Sequence, residues 1–265
     1  VVNLWISFSD VIDFGNVQMA KLVALDNQSH RNIRVDTSKV EEAGADLNMV
    51  PAFVTEFLKL VVHYPILFSK NAETGQFVCI ALLGFEEGQN LFWKNAKWNS
   101  IYTPLSITRH PFFVAEDDLI NGNYLVCIDM DNQAVNQKHG ERLFNSDGQT
   151  TRFLELAQSS LIELLEGEKQ TTELIEVLLS LDLLVPLALD ITFNDGENKM
   201  IKGIYTVDED KLDNLTRDGF ETLKNSGFLQ SVYTQIASLG QIYTLIHNKN
   251  LRDEQLSPWL KESAE

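Results

Sequence analysis

The sequence predicts an α+β fold: a mainly antiparallel sheet in the N-terminal half, packed by helices of the C-terminal half. Three observations predict it. Between Tyr64 and Asp129 the apolar residues come in short runs separated by turn residues, as in strands joined by hairpins. From Phe153 onward they recur every three or four positions, the spacing of one helical face. The chain has 265 residues, 44% of them hydrophobic, enough to bury a full core.

Residues 1–18 have no basic start, and Asp10 and Asp13 interrupt their apolar stretch, so they do not read as an export signal. They are expected to be a non-native or disordered extension, with Met19 as the natural start. A single domain is expected over residues 19–251 and a polar, frayed tail over 252–265, the polar character beginning at Lys249. Lys21–Leu25 reads as a short strand. Val50–Val62 carries Phe53, Val54, Phe57, Leu58, Val61 and Val62 at helical spacing, and the run ends before Pro65, because a residue preceding proline is driven to extended geometry. Strands are predicted at Ile66–Ser69, Gln76–Leu83, Leu91–Trp93, Pro111–Ala115 and Asn123–Asp129. Turns at Glu73-Thr74-Gly75, Glu86-Glu87-Gly88 and Asn121-Gly122-Asn123 make residues 64–130 one meander.

After a polar loop from Asp131 to Gln149, two amphipathic helices are predicted on either side of Gly167. A hairpin from Leu187 to Val207 follows, turning at Asn194-Asp195-Gly196-Glu197. Asp208 reads as a helix cap, Asn225-Ser226-Gly227 as a helix stop, and Phe228–Asn248 as the longest helix.

Charge sets limits on partners. Lys and Arg total 21 against 38 Asp and Glu, a formal charge of -17. A surface of that sign repels phosphate backbones, so nucleic acid is excluded as a partner. No apolar run approaches the roughly 18 residues of a membrane helix, so no membrane insertion is expected. Cys79 and Cys127 are isolated in strand-like runs and read as buried free thiols, which points to a cytoplasmic location.

The phosphate loops, nucleophile elbows and metal motifs that mark common cofactor enzymes do not occur, and the sequence names no cofactor. Of the five histidines, the nearest to an acidic residue in sequence is His139, beside Glu141. Asp129 and Asp131 are spaced to share one face of a strand end. Two close carboxylates could hold a hard cation, but Asp at a strand end also serves turns. Arg109 stands among Tyr102, Pro104, Pro111 and Phe112 in a region poor in other cations. A charge so placed must be paired, either with a carboxylate of its own chain or with an anionic ligand. Asn90, Trp93, Trp98, Tyr102, His110 and Phe112 are the remaining candidates to line a pocket around it, although aromatic residues in a sheet also serve as core.

These same residues carry a family resemblance. Tyr64-Pro65-Ile66, Phe68, Ala81-Leu82-Leu83-Gly84, Asn90-Leu91-Phe92, Trp98, Tyr102, Pro104 and Arg109-His110-Pro111-Phe112 resemble the SapC family of bacterial proteins, as do Cys127-Ile128-Asp129, Gly203-Ile204-Tyr205 and Val207-Asp208-Glu209. The family more often has tyrosine where this chain has His110. The resemblance implies a soluble protein of unestablished activity, linked to surface-layer protein export or to uptake and modification of a peptide or glycan. The peptide-transporter permease label often attached to such proteins is at odds with the hydropathy. The expectation is therefore a binding or accessory protein. It would hold a small anionic molecule or peptide near Arg109, with a component of a surface or uptake system as protein partner. The alternative is a metal-assisted enzyme using Asp129, Asp131 and His110.

Overall fold

The computed structural model describes residues 21–71, 74–118 and 123–262. The first 18 residues and the expected turn at Asn121-Gly122 lie outside them. In chain order the protein forms β1 (Leu22–Ala24), β2 (Arg34–Val35), β3 (Met49–Pro51), α1 (Phe57–Leu60), β4 (Ile66–Lys70), β5 (Phe77–Leu82), β6 (Trp93–Lys94) and β7 (Lys97–Trp98). There follow α2 (Leu105–Thr108), β8 (Phe112–Asp118), β9 (Asn123–Asp129), β10 (Val135–Asn136), β11 (Glu141–Arg142) and α3 (Arg152–Ser180). The last elements are β12 (Leu184–Thr192), β13 (Asn198–Val207), α4 (Glu209–Asp213), α5 (Arg217–Asn225), α6 (Leu229–Ser238) and α7 (Gln241–Glu262). The mixture of helices and antiparallel sheets is the α+β class expected.

The chain forms two compact units, each built from two stretches of sequence. The first comprises residues up to Gly44 with Thr103–Glu168, the second Ala45–Tyr102 with residues from Lys169 on. In the first unit β9 lies between β1 and β8 in an antiparallel sheet, and β2 lies between β10 and β11 in a smaller one. Ile33, Val35, Phe112, Ile128, Leu143 and Leu154 are buried together in its core. Gly140 closes the loop before β11 at φ 91°, where an added Cβ would lie 2.1 Å from the Val35 carbonyl oxygen. Only glycine permits that approach.

The second unit holds a five-stranded antiparallel sheet in the order β12, β13, β4, β5, β3, with α6 against β13 and β4. Strands β4 and β13 pair only at Ile204 with Ser69 and Tyr205 with Phe68. Beyond that point α6 supplies the missing partners. The Gln235 side-chain amide donates to the Ile66 carbonyl at 2.8 Å and accepts from the Val207 N–H at 3.3 Å, while the Ser238 hydroxyl accepts from the Ile66 N–H at 2.8 Å. Both polar side chains are completely buried, and each satisfies backbone groups that the splayed strands leave open.

Several elements differ from expectation. Residues 64–130 are not one meander: β4 and β5 belong to the second unit's sheet, β8 and β9 to the first unit's. The stripe over Val50–Val62 has the wrong phase. A 3-10 turn at Val54–Glu56 precedes the single turn of α1, so Phe53, Glu56, Phe57 and Leu60 face inward while Leu58 and Val62 are exposed. Gly167 does not break α3. Its cost of about 1 kcal/mol is outweighed by a buried stripe at Leu154, Leu161, Leu164, Leu174 and Leu178. The run from Phe228 divides at Leu239–Gly240, where N–H groups bond three residues back and tighten the end of α6. Helix α7 then carries on past Lys249, whose buried ammonium pairs with Asp253 at 2.7 Å and Glu197 at 3.7 Å and lies over the Phe193 ring. The hairpin turn before Glu197, the Asp208 cap and the helix stop at Gly227 are as expected.

Candidate functional site

The sequence-predicted site residues fall into two groups. Asn90, Trp93, Trp98 and Tyr102 belong to the second unit, and Arg109, His110 and Phe112 to the first.

In the second unit the aromatic residues are organised by hydrogen bonds. The hairpin β6–β7 turns at Asn95 and Ala96, both at positive φ (54° and 57°), and sets Trp93 opposite Trp98. Positive φ at both central residues is the two-residue turn whose twist matches its strands. The Trp98 indole N–H donates to the Tyr64 hydroxyl at 2.7 Å, and that hydroxyl lies 2.6 Å from the Tyr102 carbonyl oxygen and 2.5 Å from the Ser100 hydroxyl. Tyr64 is completely buried, so its polar tip needs these partners. Asn90, also buried, accepts from the Phe92 N–H at 2.8 Å, and the Phe92 ring packs on Tyr64 with centroids 4.6 Å apart. The Leu91 N–H donates to the Leu83 carbonyl, which brings the chain back over Gly84. A Cβ at Gly84 would lie 2.0 Å from the Gln89 carbonyl oxygen, so the Ala-Leu-Leu-Gly run ends in glycine for want of space.

The Tyr102 hydroxyl donates to Glu56 at 2.8 Å, and the Lys59 ammonium lies 5.4 Å from the Tyr102 ring centre. Sequence reading missed Glu56, a completely buried carboxylate that also accepts from the Phe53 N–H at 3.2 Å. The signal was there: with Phe53, Phe57 and Leu60 turned inward, Glu56 falls on the apolar face. Burial, with the Glu56 charge next in weight, pushes the Cys79 thiol above its ordinary range, and burial alone raises Cys127. Both cysteines are free and buried, as the sequence suggested.

In the first unit Arg109 follows α2 and leads into His110, which precedes Pro111 through a cis peptide bond. The guanidinium lies 4.2 Å over the centre of the Phe113 ring and donates to the Phe112 carbonyl at 3.3 Å. His110 meets the same ring edge-on, with centroids 5.5 Å apart. Its Nδ1 is shut off from solvent and has no hydrogen-bond partner among the described residues. Burial, with the adjacent Arg109 charge second, pushes the imidazole pKa down to about 3, so the ring is neutral near pH 7. Phe112 is buried and packs on Phe153, which makes it a core residue of this unit. Asp129 accepts from the Asp131 N–H at 3.0 Å, so one carboxylate oxygen is used in a turn, and Asp131 is exposed. No group of three His, Cys, Asp or Glu side chains among the described residues could hold a metal ion.

Fold and site thus describe an α+β protein with a hydrogen-bonded tyrosine–tryptophan assembly in one unit and an arginine–histidine corner on a phenylalanine ring in the other. No helix among the described residues is long and apolar enough to cross a membrane. A family model described as SapC matches residues 25–245, well over half of the chain, and the protein belongs to the SapC family. No curated protein and no solved structure matches the chain.

Proposed function

We propose that this SapC-family protein is a binding or accessory protein of a surface-protein export system or of a peptide or glycan uptake system, and that it holds a small anion or a peptide carboxylate at Arg109. One observation carries the reading: the solvent-shielded, unpartnered Nδ1 of His110 beside a guanidinium already seated on Phe113. A buried polar atom without a partner is costly and calls for one, and a cation fixed in advance loses little freedom when an anion arrives. His110 is neutral near pH 7 and can offer that nitrogen as a donor or an acceptor. Phe112 belongs to the same proposal as a support, its carbonyl accepting from the guanidinium, and the proposal is confined to the unit that holds Arg109. Catalysis by Asp129, Asp131 and His110 has less behind it: a histidine with pKa about 3 exchanges no proton near neutrality, and Asp129 already serves a turn.

Thermal unfolding in the presence of citrate, succinate or inorganic phosphate tests the reading. At least one anion is expected to raise the midpoint in the native protein, less in His110→Phe and not at all in Arg109→Met, with circular dichroism reporting that both variants fold. A midpoint that no anion moves, or a shift that survives in Arg109→Met, overturns it.

A further inference from the structure

A hollow of about 760 Å³ opens in the first unit where the start of β9, the loop after β1 and the first turns of α3 meet. Its volume is in the range of small-molecule sites. None of the residues discussed so far as a site belongs to its lining. The floor is apolar, with Val126, Phe144 and Leu154, and the ring of Tyr124 stands at its side, 57% exposed.

The polar lining is rich in amides whose hydrogen-bonding capacity is only partly used. Asn27 donates its amide N–H to the Gly148 carbonyl at 3.0 Å, which leaves its oxygen as an acceptor. Gln149 accepts from Asn145 at 3.3 Å, which leaves its NH2 as a donor. The Gln158 side-chain amide and the Tyr124 hydroxyl make no hydrogen bond among the described residues. The charged lining residues are Asp26 and Glu155, and both already have partners. Asp26 accepts from the Ser29 and Gln28 N–H groups, which hold its pKa below the ordinary carboxylate value, and Glu155 lies 3.4 Å from Arg152. Thr151 caps α3 by accepting from the Leu154 N–H, so that donor is not left for an anion. With acidic side chains and no basic one in the lining, on a chain of charge -17, anions are repelled.

We propose that this hollow is a saccharide site. An uncharged ring with hydroxyl groups, each both donor and acceptor, matches the mixed amide donors and acceptors. The aliphatic face of a sugar ring suits an exposed tyrosine, which offers an apolar body and a polar tip. The inference does not rest on the reading of Arg109: the ligand class is different and the residues are separate.

Amide NMR titration with neutral oligosaccharides (maltotriose, cellotriose and chitotriose), with spermidine and citrate as controls, tests it. At least one saccharide is expected to perturb amides of residues 25–27, 124–126 and 148–158. Tyr124→Ala should weaken that binding about tenfold, since a lost aromatic platform costs on that order. Gln158→Ala should weaken it less, and Arg109→Met should leave it unchanged. Tyr124 is exposed, so its truncation spares the fold. Silence with every saccharide, a response to spermidine or citrate alone, or saccharide binding unaffected by Tyr124→Ala each overturns the proposal.

Discussion

His110 links a single side chain to the pH dependence of the whole protein. Its folded pKa of about 3 lies below the ordinary 6.5, so the unfolded chain binds a proton between those values that the folded protein refuses. Stability from this group is therefore complete above pH 6.5 and is lost as pH falls toward 3, by at most about 1.4 kcal/mol per pH unit. Urea unfolding at pH 7 and pH 5 should show a smaller difference in His110→Phe than in the native protein; an equal difference would assign the acid sensitivity to other groups. Gln235 acts through geometry alone. Replacing it with leucine leaves the Ile66 carbonyl and the Val207 N–H without the amide that serves them, at a cost of about 3 kcal/mol in urea unfolding. Neither role could be read from the sequence. A histidine among aromatics and a glutamine in an amphipathic run look alike whether they are solvated or sealed in, and only the fold decides which.

At the scale of elements, the hairpin β6–β7 stores strain at a residue without compensation. Ala96 sits at φ 57°, where a Cβ is disfavoured and glycine is not. Ala96→Gly should therefore stabilise the protein by about 1 kcal/mol, read as a higher urea midpoint with an unchanged slope. Most elements were legible because their signals are local. Strands β4, β5, β8 and β9 announce themselves by alternation and turns, and α4 by the Asp208 cap. The failures are of two kinds. Gly167 looked like a break because propensity was weighed without the buried stripe that runs through it. The hairpin at Asn95-Ala96 was missed because its turn lacks the glycine that advertises such turns. The candidate residues were named from the sequence, but their division between two units, the hydrogen bonds among Tyr64, Trp98 and Tyr102, and the hollow beside Tyr124 depend on residues distant in sequence, while Glu56 was missed because the stripe around it was read in the wrong phase.

For the whole molecule, a charge of -17 means that like charges repel across much of the surface. Raising sodium chloride from about 10 mM to about 150 mM shortens the screening length from about 30 Å to about 8 Å, and the melting midpoint should rise by a few degrees. A falling midpoint would mean that specific ion pairs such as Lys199–Glu86 outweigh the general repulsion. The two-unit arrangement was not legible, because no change of composition marks the crossings near residues 44, 102 and 168.

The interleaving of the units also has a meaning for biosynthesis. As the chain leaves the ribosome, the second stretch of the first unit ends at Glu168, so that unit is the first that can close. Strands β4 and β5 have emerged by then, but the partner of β4 at Ile204 and Tyr205 and the α6 amide that caps Ile66 have not. Until they arrive, a buried edge of the finished protein is an open one in the nascent chain, and the order of synthesis makes that stretch the client a chaperone would meet.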